Sequence, residues 1–226
     1  MAAASFLILL TATAVIIQNS PRADSPSSPS ATLDPIFAPT PADTPLSLGL
    51  SAPPPVDPYH MPLIRMHDFA DRDGAVCLDG SPGAFYFRKY TDPAHANDWL
   101  LHFKGAGWCY DTEDCFGRSQ MVFGSSNFMD NVTSGWNGGI LGPGDDTFGG
   151  FNKVILEYCD GASFTGDRTD PVPAGPGGNT SLFFRGRRIR DSIFKTLVRD
   201  HNLGAARDVL LTGCSSGGLS AYDEVE

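Results

Sequence analysis

The stretch that most restricts what this chain can be lies near its end, where Asp208-Val209-Leu210-Leu211-Thr212 runs into Gly213-Cys214-Ser215-Ser216-Gly217-Gly218. A short apolar run of this kind reads as a buried strand. A G-x-S-x-G pattern directly after it reads as a sharp strand-to-helix turn that lifts the serine hydroxyl above the sheet edge. Glycines on either side let the crowded backbone segments approach. Ser215 is therefore the candidate nucleophile, and its setting requires a sheet with a helix following the turn. The alternative is a Gly/Ser-rich turn with no chemistry, and the loop features that coincide with it weigh against that reading.

Trp99-Leu100-Leu101-His102-Phe103 is a second buried-strand pattern, ending at Lys104-Gly105-Ala106-Gly107, and Lys153-Val154-Ile155-Leu156-Glu157-Tyr158 is a third. Ile189, Ile193 and Leu197 recur every four residues, which predicts one apolar helical stripe ending near Gly204. Strand, helix and strand in that order make a βαβ unit. The expected fold class is therefore α/β, of α/β-hydrolase type, with a mostly parallel sheet and flanking helices.

A serine that transfers acyl groups needs hydrogen-bond donors for the oxyanion and a base for its proton. The N–H of Ser216 supplies one donor by position, and the glycine-rich loop at Gly105 and Ala106 is placed to supply a second. The base is harder to find. In α/β hydrolases the chain order is serine, acid, histidine, yet His60, His67, His95, His102 and His201 all precede Ser215. Of the residues after Ser215 the sole aspartate is Asp223, for which a solvated helix face is the better reading.

Residues 1–20 open with an almost continuous apolar run from Ala2 to Ile17, broken by Gln18-Asn19-Ser20-Pro21. This reads as a secretory signal peptide, with an uncleaved anchor as the rival; only an uncleaved segment would associate the chain with a membrane. Residues 21–58 are rich in Pro, Ser, Ala and Thr without apolar periodicity, a disordered linker. Residues 59–226 form the folded part. The formal charge of −10 excludes nucleic acid as an expected partner. Five cysteines fit an oxidising compartment but lack the close pairs of a zinc site, so no metal and no cofactor is expected. Asn131-Val132-Thr133 and Asn179-Thr180-Ser181 are N-glycan sequons, consistent with secretion.

Several collinear stretches resemble the pectin acetylesterase family, whose animal relatives include the Notum lipid-deacylating carboxylesterases. They are Ala75 to Pro82, Gly105 to Cys109, Glu157 to Phe164, Phe184-Arg185-Gly186 and Leu211 to Leu219. The resemblance implies an α/β-hydrolase fold, a Ser-Asp-His triad without metal, and removal of acetyl groups from cell-wall polysaccharide such as pectin. It puts the nucleophile on Ser215, the oxyanion donors on Gly105, Ala106 and Ser216, and disulfides between Cys77 and Cys159 and between Cys109 and Cys115. Cys214 is left without a partner. Three positions depart from the family pattern: Lys104 stands where an acidic residue is usual, Ala106 where a third glycine is, and Ser216 where an alanine is. The family's aspartate and histidine lie downstream of the serine, so the expectation is that this sequence is the front part of the fold, with a truncated gene model as the leading explanation. An acetylated polysaccharide or another ester is the expected partner. The alternatives are a noncatalytic secreted binding or structural module of the same fold and a Notum-like lipid-ester deacylase.

Overall fold

The structure is a computed structural model that describes residues 15–18, 60–133 and 139–224. The linker reading, and most of the signal-peptide reading, fall outside these residues. In chain order the elements are β1 (Val15–Gln18), β2 (Met61–Arg65), α1 (His67–Asp73), β3 (Ala84–Arg88), β4 (Asp98–Phe103), α2 (Thr112–Ser119), β5 (Val132–Thr133), β6 (Asn152–Leu156), β7 (Val172–Ala174), β8 (Thr180–Leu182), α3 (Gly186–His201), β9 (Asp208–Gly213) and α4 (Ser216–Asp223).

Seven strands form one sheet in the order β1-β9-β4-β6-β3-β2-β5, and β7 and β8 make a separate hairpin. The centre of the sheet is parallel, with β4 between β6 and β9. These are the three strands whose apolar runs the sequence displays, and continuous apolar runs are what strands covered on both faces require. Outside them β3, β2, β5 and β1 add antiparallel pairings. The chain is thus an α/β fold with a parallel centre and helices beside it.

Alternation along β4 sends its side chains to two cores. Trp99, Leu101 and Phe103 face the first, where they meet Ile189, Ile193 and Leu197 of α3 and Ala221 of α4, all buried. Full burial of such side chains is worth roughly 1.5–3 kcal/mol each, so the three-residue stripe of α3 is the main anchor of that helix. Helix α3 stops earlier than its sequence suggests. Asn202 adopts φ 64°, and its N–H returns to the Leu197 carbonyl, closing the helix at His201 rather than near Gly204. Asparagine tolerates the left-handed region well, which makes it a competent substitute for glycine at this position.

The second core lies on the opposite face, where Leu100, Ile155 and Leu210 meet Leu141 and Phe151 from the segment preceding β6. Lys153 fastens that segment. Its side chain is buried, and its ammonium donates to the carbonyl oxygens of Ile140 at 2.9 Å and Gly142 at 2.7 Å. Burial pulls its pKa down to about 8, and the nearby Arg88 guanidinium acts in the same direction.

Two disulfides join the framework. Cys77–Cys159 ties the turn before β3 to the segment after β6 across 82 residues of chain, and Cys109–Cys115 ties the loop after β4 to α2. Cross-links over long loops restrict the unfolded chain most, with typical effects of about 2–5 kcal/mol in secreted domains. Replacing both Cys77 and Cys159 with alanine is expected to lower the unfolding free energy by about that amount. Guanidinium unfolding under non-reducing conditions checks this, and an unchanged midpoint contradicts it.

Candidate active site

Strand β9 ends at Gly213 and helix α4 starts at Ser216, so only Cys214 and Ser215 make the turn between them. Ser215 has φ 55° and ψ −125°, a conformation that costs a non-glycine residue on the order of 1–3 kcal/mol. The surroundings enforce it. Cys214 N–H donates to the Phe103 carbonyl at the end of β4, and Gly217 N–H returns to the Cys214 carbonyl at 2.9 Å. A Cβ at Gly217 would run into the Phe103 carbonyl oxygen, and one at Gly105 would run into that of Cys214. Two backbone crossings therefore press the turn onto the end of β4. Ser215 stays exposed at the top of them.

The Ser216 N–H stands in the first turn of α4, where helix N–H groups have no intrahelical acceptor and the helix dipole favours negative charge. Beside it runs the loop after β4. Arg118 of α2 donates through Nη2 to the carbonyls of Ala106 at 2.9 Å and Trp108 at 3.3 Å. Tyr158 Oη donates to the Gly107 carbonyl at 2.7 Å. The Ala106 N–H is engaged as well, donating to Ser216 Oγ at 3.0 Å. The structure thus brings together Ser215, Ser216, Gly105 and Ala106, the four residues singled out for chemistry, around the end of β4.

A loop that sequence reasoning passed over as a mere matching stretch supports this assembly. Ser163 and Phe164 both have positive φ, 55° and 58°. Every polar group of Ser163 is used: its N–H donates to Tyr158 Oη at 3.1 Å, its carbonyl accepts from Ser220 of α4 at 2.8 Å, and its Oγ accepts from the Trp108 indole at 2.9 Å. Asp160 fixes the start of the same loop by accepting the Phe164 N–H at 2.9 Å. Its other carboxyl oxygen is buried without a hydrogen-bond partner among the described residues. Burial drives the pKa of Asp160 up to about 7, against the downward pull of the backbone N–H groups of Phe164 and its neighbours. Lys104, next to the loop, donates to both carboxylate oxygens of the buried Glu157 at 2.9 and 2.7 Å. Burial raises the Glu157 pKa and the Lys104 charge opposes that rise. The departure at Lys104 therefore has a structural role: it neutralises a carboxylate held inside the protein.

The histidines sit elsewhere. His102 lies in β4 with Nδ1 at 2.9 Å from Thr212 Oγ1, and burial holds its pKa down near 4. His95 pairs with Asp98 at 2.7 Å, and the ring of His201, at the end of α3, lies tilted against Phe87. His67 opens α1, and His60 precedes β2. Asp223 is exposed at the end of α4. Cys214 is a free, exposed thiol, while Cys77, Cys159, Cys109 and Cys115 form the two disulfides. Asn131 and Asn179 are exposed, and Asn131 Oδ1 accepts from Arg65. Among the described residues no group of His, Cys, Asp and Glu has the arrangement of a metal site.

A family model for pectinacetylesterase matches residues 57–226. Pectin acetylesterase 11 of Arabidopsis thaliana is 39% identical over 153 residues, covering 66% of this chain and 36% of that protein. Pectin acetylesterase 7 of the same organism is 40% identical over 151 residues, with the same coverage. This chain thus spans about a third of the length of those relatives. A crystal structure of the Wnt deacylase Notum from Drosophila superposes with a TM-score of 0.60 at 24% identity, covering 74% of this chain and 47% of that one. That likeness establishes the α/β-hydrolase fold.

The raised pKa of Asp160 has a direct consequence for stability. Between its ordinary value of 3.8 and about 7 the folded chain keeps a proton that the unfolded chain has released. Its contribution is complete below pH 4 and is lost as pH rises through about 7. Asp160→Asn, which keeps an acceptor for the Phe164 N–H, should flatten that decline relative to the wild type. Unfolding free energies measured from pH 4 to 8 on both proteins check it, and parallel curves contradict it.

Proposed function

The chain belongs to the pectinacetylesterase family, and from that premise we propose that it is the nucleophile-bearing part of a secreted serine carboxylester hydrolase that removes O-acetyl groups from cell-wall polysaccharide such as pectin. The observation that supports this most is Ser215 itself, an exposed serine held at φ 55° between a buried parallel strand and a helix N-terminus. A serine kept in that conformation serves no packing purpose, and strained, exposed residues cluster where chemistry occurs.

Ser215 Oγ attacks the acetyl carbonyl carbon as its proton passes to a histidine. The tetrahedral oxyanion forms against the Ser216 N–H and the loop of Gly105 and Ala106. Collapse breaks the bond to the sugar oxygen, which takes the proton back, and water then releases acetate from the acetyl-serine. In the serine, acid, histidine order of α/β hydrolases, the histidine and its aspartate follow the serine in the chain. The engagement of His102, His95 and His201 in other contacts is consistent with that order.

Two disulfides suit an oxidising compartment outside the cytosol, and the sequons at Asn131 and Asn179 lie on exposed residues. Among the described residues no helix is long and apolar enough to cross a membrane.

The test is acetate release from acetylated pectin by the full-length gene product. Ser215→Ala should lower kcat by at least about 10³-fold, the range expected when a triad nucleophile is removed. Release that is absent from the wild type, with polysaccharide binding retained, would instead identify a noncatalytic binding module. Activity confined to long-chain acyl esters would move the substrate class to lipid esters.

A further inference from the structure

Position 216 contributes a side chain as well as an N–H to the loop beside the nucleophile, and that side chain takes a donor from the loop. Ser216 is fully buried, at 0% exposure. Its Oγ accepts the Ala106 N–H at 3.0 Å. Tyr158 has one proton to give, and the Gly107 carbonyl at 2.7 Å takes it. The phenol oxygen is therefore an acceptor toward the Ser163 N–H at 3.1 Å. Toward Ala106 the amide is the donor, so Ser216 meets the loop through a lone pair of its hydroxyl.

This arrangement withdraws a donor from the site. The Ser216 hydroxyl holds the Ala106 N–H that the loop would otherwise present. Arg118 restrains the same residue from its other side through the Ala106 carbonyl at 2.9 Å. Ser216 has little room to swing aside, because it is enclosed in the first turn of α4.

We propose that Ser216 is a positioning residue that acts through Ala106: its buried hydroxyl occupies the Ala106 N–H, and an ester oxyanion at Ser215 must compete with it for that donor. The proposal rests on the esterase reading above and assigns Ser216 two opposed contributions, a backbone N–H that stabilises the oxyanion and a side chain that withholds a second donor. Removing one oxyanion donor costs other acyl-transfer enzymes roughly 10²- to 10³-fold in kcat, so the occupied donor represents a sizeable unused reserve.

Ser216→Ala in the full-length protein tests it, with p-nitrophenyl acetate as substrate and amide hydrogen exchange at Ala106 as a readout independent of turnover. The expected result is a kcat raised by roughly tenfold, a KM left where it was, and faster exchange at Ala106. A kcat that falls or stays level, or exchange at Ala106 that is the same with and without the hydroxyl, overturns it. The wild type alone is also decisive, since an unprotected Ala106 amide contradicts the occupied donor even if the variant fails to fold. Turnover that survives Ser215→Ala defeats the esterase reading and the competition built on it, while exchange at Ala106 still reports whether Ser216 holds the amide.

Discussion

The end of β4 and the start of α4 lie so close that no side chain fits between them, and the site depends on that contact. Gly217 lies against the Phe103 carbonyl and Gly105 against the Cys214 carbonyl, while Phe103 and Gly213 are register partners in the parallel pair β4 and β9. Once the pair is formed, the chain after Gly213 can reach α4 only through the strained conformation of Ser215. The strain is held by the core beneath, where Phe103 packs edge-on against Phe164 at 5.4 Å and Ala221 of α4 joins the α3 stripe. Packing in one place thus supports an unfavourable dihedral in another, the usual relation between a rigid scaffold and a functional turn.

Around this contact the protein buries several ionisable groups, each with a local task. Lys153 clamps the carbonyls that cover the second core, Lys104 neutralises Glu157 beside the glycine loop, and Asp160 orders the loop of Ser163. Taking such groups out of water is costly, and a buried pair is weak evidence of stability in itself. Their value here lies in direction. Loops at 105–108 and 160–164 have no strand ladder of their own to satisfy their backbone groups, and Arg118, Tyr158, Ser163 and Asp160 provide the missing partners. The same partners decide which way each peptide of the oxyanion loop points.

Much of the scaffold is legible in the sequence because it follows local periodicity. β4, β6, β9 and α3 show their apolar patterns directly, and the turn at Ser215 is marked by its glycines and by the strand before it. The outer strands are not so marked. β2 contains Pro62 and pairs with a two-residue β5 over two positions only, and β7 and β8 have three residues each with Pro173 among them. Proline removes a ladder donor and is confined to edges and strand starts, so such segments read as loops until their neighbours are known. The support of the site is illegible for a different reason. Ser216 meets Ala106 across 110 residues, Ser220 meets Ser163 across 57, and Lys104 meets Glu157 across 53, and no spacing rule in the chain announces these pairs. A serine for an alanine at position 216 looks conservative in the sequence, and only the fold reveals that its hydroxyl has an N–H to take.

The outer edge of β9 follows from the same topology. Val15–Gln18 pairs there antiparallel, matching Leu211 through Asp208, where the apolar run read in the sequence as a signal peptide ends. One molecule cannot use the segment both ways: a cleaved leader leaves the edge of the nucleophile strand, whereas a retained one covers it. Unpaired strand edges invite association with other chains, and the face beside this edge is mostly apolar, lined by Phe194, Leu203, Ala206, Val209 and Leu211 together with Arg207 and Glu224. The position of Ser215 depends on β9 remaining registered against β4, so whatever strand pairs with the far side of β9 supports the nucleophile as directly as the glycine crossing does.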